Sequence, residues 1–378
     1  MKIAFASTYP PQHCGIANYT RTLTDAIAAE GDVEIVVLSE QGGQPQGGPV
    51  GCIPVFSRNQ DFSGPLVRAA VEQRVRLVHV QHAPDIFGMG NRLYRLLVGL
   101  RREGIASVVT LHTVYSFTSG LIERKPHAPG FHRMLGNRAD RLLVHQPSMQ
   151  RELERQGIPS ERIVELPHGT QAPPSEDGSA LRTRLGIPAS APLLLFFGFV
   201  HVQKNVHTLL LALKSVLRER PDVHLVIAGE VAGGTWYNRA YFRILREMVQ
   251  RLKLSGHVHL ERRFIPGNQV GRYYAAADIV LLPHNQGYGS ASGVAHDALA
   301  ARKPLLCSDT LKFEEIGRSV SPFLMVPTHR PSAWAQKILA LLNEPALRAE
   351  IGDRVARYAA ETSWARVAAA HLDLYRRL

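Results

Sequence analysis

The stretch "QGYGSASGVAHDALAARKPLLCSD" (286–309) follows an apolar run, "ADIVLLP" (277–283), that reads as a buried strand. Ser290, Ser292 and Gly293 therefore stand where a strand hands over to a helix. Small side chains there leave backbone amides open, serine hydroxyls donate to anionic oxygens, and partial positive charge gathers at a helix N-terminus. With Ala291 and Val294, the loop 290–294 is a phosphate-binding construction without the P-loop spacing. Asp297, one turn into the helix, is positioned to accept hydrogen bonds from a ribose diol. The plainer alternative is a serine-capped helix with an aspartate that complements its dipole. His296 is expected on the exterior of that helix.

Three further loops carry residues of the right type. In "FFGFVHVQKNVHTLLLALKSVL" (196–217), Gly198 ends a strand and Lys204 stands at the mouth of a helix, where a full charge adds to the partial one and suits a phosphate. Asn205 is expected to cap that helix, whose apolar face is Val206, Leu209, Leu210, Leu213 and Leu217. "VVTLHTVY" (108–115) puts His112 just past an apolar run, where an imidazole can donate to a substrate hydroxyl or steady charge in a transition state. "HVQHAPDIF" (79–87) puts His79 and His82 at the preceding strand end, with alternation expected to turn one of them into the core. In "STYPPQHCGIANYT" (7–20), Gly15 lets a ligand approach amides at a helix start. A plain turn glycine, structural histidines and a solvated lysine are the alternatives at these positions.

These residues need elements to hold them. Strands are expected at 2–6, 33–38, 76–81, 106–111, 141–145 and 163–166, then at 193–198, 223–228, 257–260, 278–282, 304–307 and 323–326. Amphipathic segments lie between them; in 16–29, Ile16, Tyr19, Leu23 and Ile27 share one helical face. Such alternation predicts parallel sheets covered on both faces. It restarts after "QAPPSEDGSA" (171–180), which reads as a linker. The expected fold is α/β, with two doubly wound, Rossmann-like domains facing across a cleft and ligands at the carboxyl ends of the strands.

Composition narrows the class. The chain has 378 residues, too many for one ordinary core, with 45% hydrophobic and 20% charged residues. No apolar run approaches the roughly 18 residues of a membrane helix. "MKIAFAS" goes straight into a strand pattern with no signal-peptide layout, so a cytoplasmic location is expected. Cys14, Cys52 and Cys307 are far apart and suggest neither a disulfide framework nor a zinc site. There is no D-x-D or His/Asp cluster for a catalytic metal. A net charge of +12 admits an anionic partner, either a nucleoside diphosphate or an anionic membrane surface. Nucleic acid lacks support, because no basic block or aromatic–basic repeat is present.

Taken in order, the motifs resemble the retaining, GT-B-fold glycosyltransferases of the family 4 type, which include bacterial mannosyl- and glucosyltransferases. The resemblance runs along the whole chain. "PPQHCGIANYTRTL" is similar to the family's opening loop, "VVTLH" to its histidine-bearing strand, and "LPHGT" (166–170) to the segment before the second domain. "FGFVHVQKNVHTLLLA" resembles its phosphate-lysine loop. "AGE" (228–230), "YYAAADIVLLP" (273–283), "DALAARKPLL" (297–306) and the closing "TSWARVAAAHLDLYRRL" follow in the family's order.

The resemblance implies an acceptor-side domain over 1–172 and a nucleotide-sugar domain over 173–358. Residues 359–378 would form a helix returning to the first domain. It implies that Gly15 faces donor phosphates or acceptor, His112 the donor sugar, Lys204 the diphosphate, and Ser290, Ser292, Gly293 and Val294 the same diphosphate. Asp297 stands where the second glutamate of an E-x7-E motif holds the ribose. Arg263 and Phe264 lie where backbone meets the nucleobase. His82 and Asn18 are the acceptor-side candidates. Two positions depart from the family: Gly289 stands where the first glutamate is common, and Phe199 where an arginine often follows the glycine, with His201 as its substitute.

The expected activity is retaining transfer of a hexose from a nucleotide-diphosphate sugar to a glycan, lipid-linked or small-molecule acceptor. No metal and no cofactor beyond the co-substrate are expected. A nucleotide-sugar epimerase and a non-catalytic nucleotide or glycan binder are the competing readings. The basic and aromatic helix in 233–253 is a candidate border for the acceptor, or simply a surface helix.

Overall fold

Thirteen strands and fourteen α-helices are found among the described residues, which are 1–116, 125–171, 177–231 and 236–378 of the computed structural model. The expected boundary at 172/173 and half of the expected linker lie outside them. The strands are β1 (Lys2–Ser7), β2 (Glu34–Glu40), β3 (Gly51–Phe56), β4 (Leu77–His82), β5 (Ala106–Leu111), β6 (Arg141–Val144), β7 (Ile163–Glu165), β8 (Leu193–Phe197), β9 (His224–Ala228), β10 (Val258–Glu261), β11 (Ile279–Leu282), β12 (Leu305–Ser308) and β13 (Met325–Val326). The helices are α1 (Gly15–Ala29), α2 (Ser63–Glu72), α3 (Pro84–Phe87), α4 (Asn91–Arg102), α5 (Ala128–Arg138), α6 (Pro147–Arg155), α7 (Ser179–Leu185), α8 (His207–Val216), α9 (Trp236–Arg251), α10 (Gly267–Ala276), α11 (Gly293–Ala300), α12 (Pro331–Asn343), α13 (Pro345–Glu361) and α14 (Trp364–Arg376).

The chain divides into two units. The first comprises Met1–Gly169, Gly287–Gly293 and Thr362–Leu378; the second comprises Thr170–Gln286 and Val294–Glu361. In the first, the sheet runs β3-β2-β1-β4-β5-β6-β7, with every pair parallel. Alternation along β1 explains its two cores. Ala4 and Ala6 join one apolar cluster, while Ile3 and Phe5 join the other. The second cluster is closed by α14, whose buried residues Trp364, Val367, Ala368, His371, Leu372 and Tyr375 recur at helical spacing and pack against α1.

In the second unit the order is β10-β9-β8-β11-β12-β13, again parallel throughout. Leu193, Leu194, Leu195 and Phe196 of β8 are all buried in one core, which is why that strand reads as an unbroken apolar run.

Three details correct the sequence reading. β3 was not expected, because "GCIPVF" opens on glycine and contains Pro54. It lies at the sheet edge, where a residue without an N–H is tolerated. Asn205 does not cap α8 with its side chain. It adopts a left-handed conformation (φ 52°) and donates to Thr328 O at 3.0 Å. His296 is buried rather than exterior. No helix among the described residues is long and apolar enough to cross a membrane.

Candidate functional site

In the first unit β1 lies between β2 and β4, so the strand order reverses there, and the loops past β1, β4 and β5 lie together at the carboxyl ends of the strands. α1 starts at Gly15 with no side-chain cap from Cys14, so its first amides have no intrahelical or capping partner. A Cβ on Gly15 would meet nothing within 4 Å. Asn18 is exposed on the next turn.

His112 follows β5 and pairs through Nε2 with Gln81 Oε1 at 2.8 Å. An amide partner serves either tautomer: its oxygen accepts from Nε2–H, and its NH2, buried here with no other partner, donates to a bare nitrogen after a flip. Burial, reinforced by His145 and His168, holds His112 well below the ordinary imidazole value, so it is neutral at pH 7. A neutral imidazole can donate to a sugar hydroxyl without adding charge.

The sequence reading missed what surrounds it. Tyr19 is buried under four rings, with centroids at 4.7 Å from His112, 5.4 Å from His145, 5.1 Å from His168 and 5.3 Å from Trp364. Its hydroxyl is buried without a hydrogen-bond partner among the described residues, and burial raises its pKa. His168 lies in the quoted "LPHGT" segment, and helical spacing had marked Tyr19 only as a core residue. His82 is 1% exposed, packs against Phe131 and pairs with Gly88 O at 2.9 Å, and burial lowers its pKa to about 4. His79 is also buried, held between Tyr375 OH and Thr110 Oγ1. Alternation does turn the two histidines to opposite faces, His79 towards Phe5 and Tyr375 and His82 towards Phe87 and Phe131, but both faces of the sheet are covered, so both are buried.

The segment Gly287–Gly293 belongs to this first unit. Gly289 and Val114 form an antiparallel bridge with N–H···O distances of 2.9 and 3.1 Å, and Gln146 Nε2 donates to Ser290 O at 2.8 Å. A Cβ on Gly289 would sit 2.8 Å from Met149 Cγ. A side chain at this position would have to displace Met149. Ser290 and Ser292 are buried, and α11 begins at Gly293.

In the second unit the chemistry collects past β8, β11 and β12, three neighbouring strands. Gly198 (φ 117°) and Gly229 (φ 151°) end β8 and β9 in conformations that only glycine holds easily. A Cβ on Gly229 would lie 2.0 Å from Gly198 O. This tight pair sends the chain through Phe199 and His201 into the single turn that carries Lys204. The ammonium of Lys204 donates to His284 Nε2 at 3.3 Å. His284 packs on Phe313, with ring centroids 5.1 Å apart, and its other nitrogen, Nδ1, is buried with no partner among the described residues. Lys312, next to Phe313, is 8% exposed.

Burial and then Lys312 push the Lys204 pKa well down; burial takes Lys312 to about 8; burial, Lys204 and Lys312 take His201 to about 3. The nearby Glu315 is hydrogen-bonded to His296 (3.2 Å) and Tyr358 (3.0 Å). Such a cluster of desolvated donors suits a multiply charged anion. Lys312 was missed because it lies in a single 3-10 turn, Leu311–Phe313, after β12, with no glycine or apolar helical pattern to mark it.

Asp297 in α11 has no side-chain partner among the described residues, and burial raises its pKa to about 7. Val294 O accepts from Tyr274 OH at 3.3 Å. Arg263 is engaged with Tyr273 OH (3.1 Å) and Gln269 (3.2 Å), beside a Glu261 that Arg184 holds in a two-pronged pair; Phe264 follows, half-buried. No group of three or more His, Cys, Asp or Glu among the described residues is placed to hold a metal ion.

Two family models match this chain, "Glycosyltransferase Family 4" over residues 14–172 and "Glycosyl transferases group 1" over residues 178–358. The chain is 29% identical to the D-inositol 3-phosphate glycosyltransferase of Kineococcus radiotolerans over 73% of this chain and 67% of that protein. A second relative of the same name, from Thermobispora bispora, is 29% identical over 72% of this chain, and the match spans 65% of its length. In fold the chain is similar to Anabaena HepE in complex with UDP, with a TM-score of 0.78, 16% identity and full coverage of both chains.

Proposed function

Because this chain belongs to the GT-B glycosyltransferases of the family 4 type, we propose that it moves a hexose from a nucleotide-diphosphate sugar to an acceptor with retention at the anomeric carbon. The observation that carries this reading is the buried Lys204–His284 pair with Lys312 and His201 past three adjacent strands. In this reading residues 173–358 bind the donor and residues 1–172, with 359–378, the acceptor.

The chemistry is a same-face displacement. The anomeric C–O bond breaks, its electron pair goes to the leaving diphosphate, and the acceptor hydroxyl adds to the anomeric carbon. The acceptor proton leaves on the departing phosphate oxygen, so no separate base is required. Lys204, the amides of Ser290, Ser292, Gly293 and Val294 and the two serine hydroxyls stabilise the growing negative charge, and His201 supplies a further donor. Lys312 adds the second full charge, in the role that an arginine fills when one follows the glycine of the phosphate loop.

Asp297 accepts from the ribose hydroxyls, and backbone at Arg263 and Phe264 meets the base. Neutral His112, with the Gln81 amide turned so that its NH2 donates to Nε2, donates to the sugar from Nδ1–H. Gly15 leaves room for phosphate or acceptor, and Asn18 and His82 stand on the acceptor side. Turnover needs no metal, and the location is cytoplasmic.

Incubation with a panel of UDP-, GDP- and ADP-sugars tests the reading. Slow release of free sugar of retained configuration, persisting in chelator, is the expected result. A new sugar isomer identifies an epimerase, and binding without turnover a binder. Lys204→Ala is expected to lower kcat/KM by about 100- to 1,000-fold. Near-normal turnover in that variant overturns the phosphate role.

A further inference from the structure

α9 is amphipathic, but its outer face is unusual. Tyr241, Leu245 and Val249 are buried in the core of the second unit. On the solvent side Trp236 is 76% exposed, and Tyr237 and Ile244 are each 50% exposed. Trp236 is the most exposed large apolar side chain among the described residues, and the other two tryptophans, Trp334 and Trp364, are buried. Arg239, Arg243 and Arg246 follow at helical spacing and, with Arg262 and Phe242, line a surface pocket of about 540 Å³. Arg262 lies over the Phe242 ring at 5.5 Å.

Arg243 and Arg246 make no hydrogen bond or ion pair among the described residues. The one acidic residue of α9, Glu247, is paired with Arg251 at 3.6 Å. Four guanidinium groups therefore surround one pocket, beside three exposed apolar side chains on the same helix.

The charges alone suit any phosphate-bearing ligand. The apolar side chains select among them. A soluble phosphate gains nothing from an exposed tryptophan, whereas a bilayer surface takes up Trp, Tyr and Ile at the headgroup boundary and binds arginines through lipid phosphates. We propose that α9 is a docking face for an anionic lipid bilayer, with one headgroup phosphate in the arginine pocket and Trp236, Tyr237 and Ile244 at the interface. This is independent of the transfer reaction; it concerns where the protein sits.

The test is cosedimentation with phosphatidylcholine vesicles, with and without phosphatidylglycerol. Tryptophan emission and the thermal stability of each variant are followed alongside. Binding is expected only to the anionic vesicles, with a blue shift that Trp236→Ser abolishes. The variant Arg239→Gln/Arg243→Gln/Arg246→Gln is expected to bind roughly 100-fold more weakly, about fivefold per arginine.

The whole chain carries +12, so a control removes three exposed charges elsewhere, in Lys214→Gln/Arg218→Gln/Arg357→Gln, and is expected to lose far less. Equal losses in the two triple variants overturn the proposal in favour of diffuse charge. So do failure to sediment with anionic vesicles and unchanged emission. Saturation of the pocket by soluble glycerol phosphate, with vesicle binding intact in the arginine variant, points to a small-molecule site and likewise overturns it.

Discussion

Lys204 Nζ and His284 Nε2 are 3.3 Å apart at the ends of adjacent strands, and Lys312 presses on both electrostatically. Burial has lowered the Lys312 pKa to about 8 from its ordinary 10.5, so near pH 8 the group is only partly charged. A bound diphosphate supplies the opposite charge and restores the proton. Nucleotide binding at pH 8 is therefore expected to take up protons, seen by titration calorimetry as an enthalpy that depends on the buffer's ionisation heat. Lys312→Met is expected to reduce that uptake and weaken nucleotide binding. Proton release on binding would contradict the assignment.

The same shift has a stability consequence. A lysine with a depressed native pKa penalises the fold while it is charged, fully below about pH 8 and not at all above its unfolded value. Lys312→Met is expected to raise stability at pH 7 by on the order of 1–3 kcal/mol, with the gain fading towards pH 10.5. Denaturant melts at a series of pH values check it.

Asp297 behaves with the opposite sign. Its pKa rises to about 7 in the fold from the ordinary carboxylate value of 3.8, so ionisation costs the native state progressively between those values and fully above pH 7. Asp297→Asn is expected to stabilise the nucleotide-free protein by on the order of 1–3 kcal/mol at pH 8 and not at pH 4. The same variant is expected to bind nucleotide less well at pH 8, where the carboxylate would accept from the ribose. Tighter binding by the variant would remove Asp297 from the ribose role.

Gly289 is pressed against Met149, with a Cβ position only 2.8 Å from Met149 Cγ. Gly289→Glu is expected to destabilise the protein by about 2–4 kcal/mol, because neighbouring atoms must shift and a charge is forced against an apolar side chain. Combining it with Met149→Ala is expected to recover part of that loss. A fully stable single variant would show that close packing is not what excludes a side chain at this position.

Gln81 holds His112 from inside the sheet at 2.8 Å. Gln81→Leu removes the partner and keeps the volume. The expected outcome is roughly a tenfold fall in kcat with little change in the KM for nucleotide sugar, since the ring is no longer oriented. A change in KM alone would assign Gln81 a purely structural part.

Much of this was legible in the sequence because parallel sheets leave a simple trace. Strands buried on both faces read as apolar runs, as in "PLLLFF", and glycine with small residues marks the loops between strand and helix, as at Gly15 and Gly293. What escaped depended on distance along the chain. Tyr19, His145, His168 and Trp364 gather from four separate segments. Lys312 lies in a 3-10 turn of three residues, too short to leave a periodic trace. His296 looked like a surface residue because nothing local reveals Thr170 at 2.6 Å or Glu315 at 3.2 Å. β3 was hidden by a proline that only an edge tolerates.

Tyr375 donates to or accepts from His79 at 2.6 Å, deep beneath β4 and nearly three hundred positions from it in the chain. The amino-terminal unit is thus completed by the carboxy-terminal residues Thr362–Leu378. Gene fusions and chimaeras that splice halves at the natural join near residue 170 should therefore carry this tail along with the leading segment. Constructing hybrids from matched heads and tails, with only the middle exchanged, is the recombination scheme this connectivity favours.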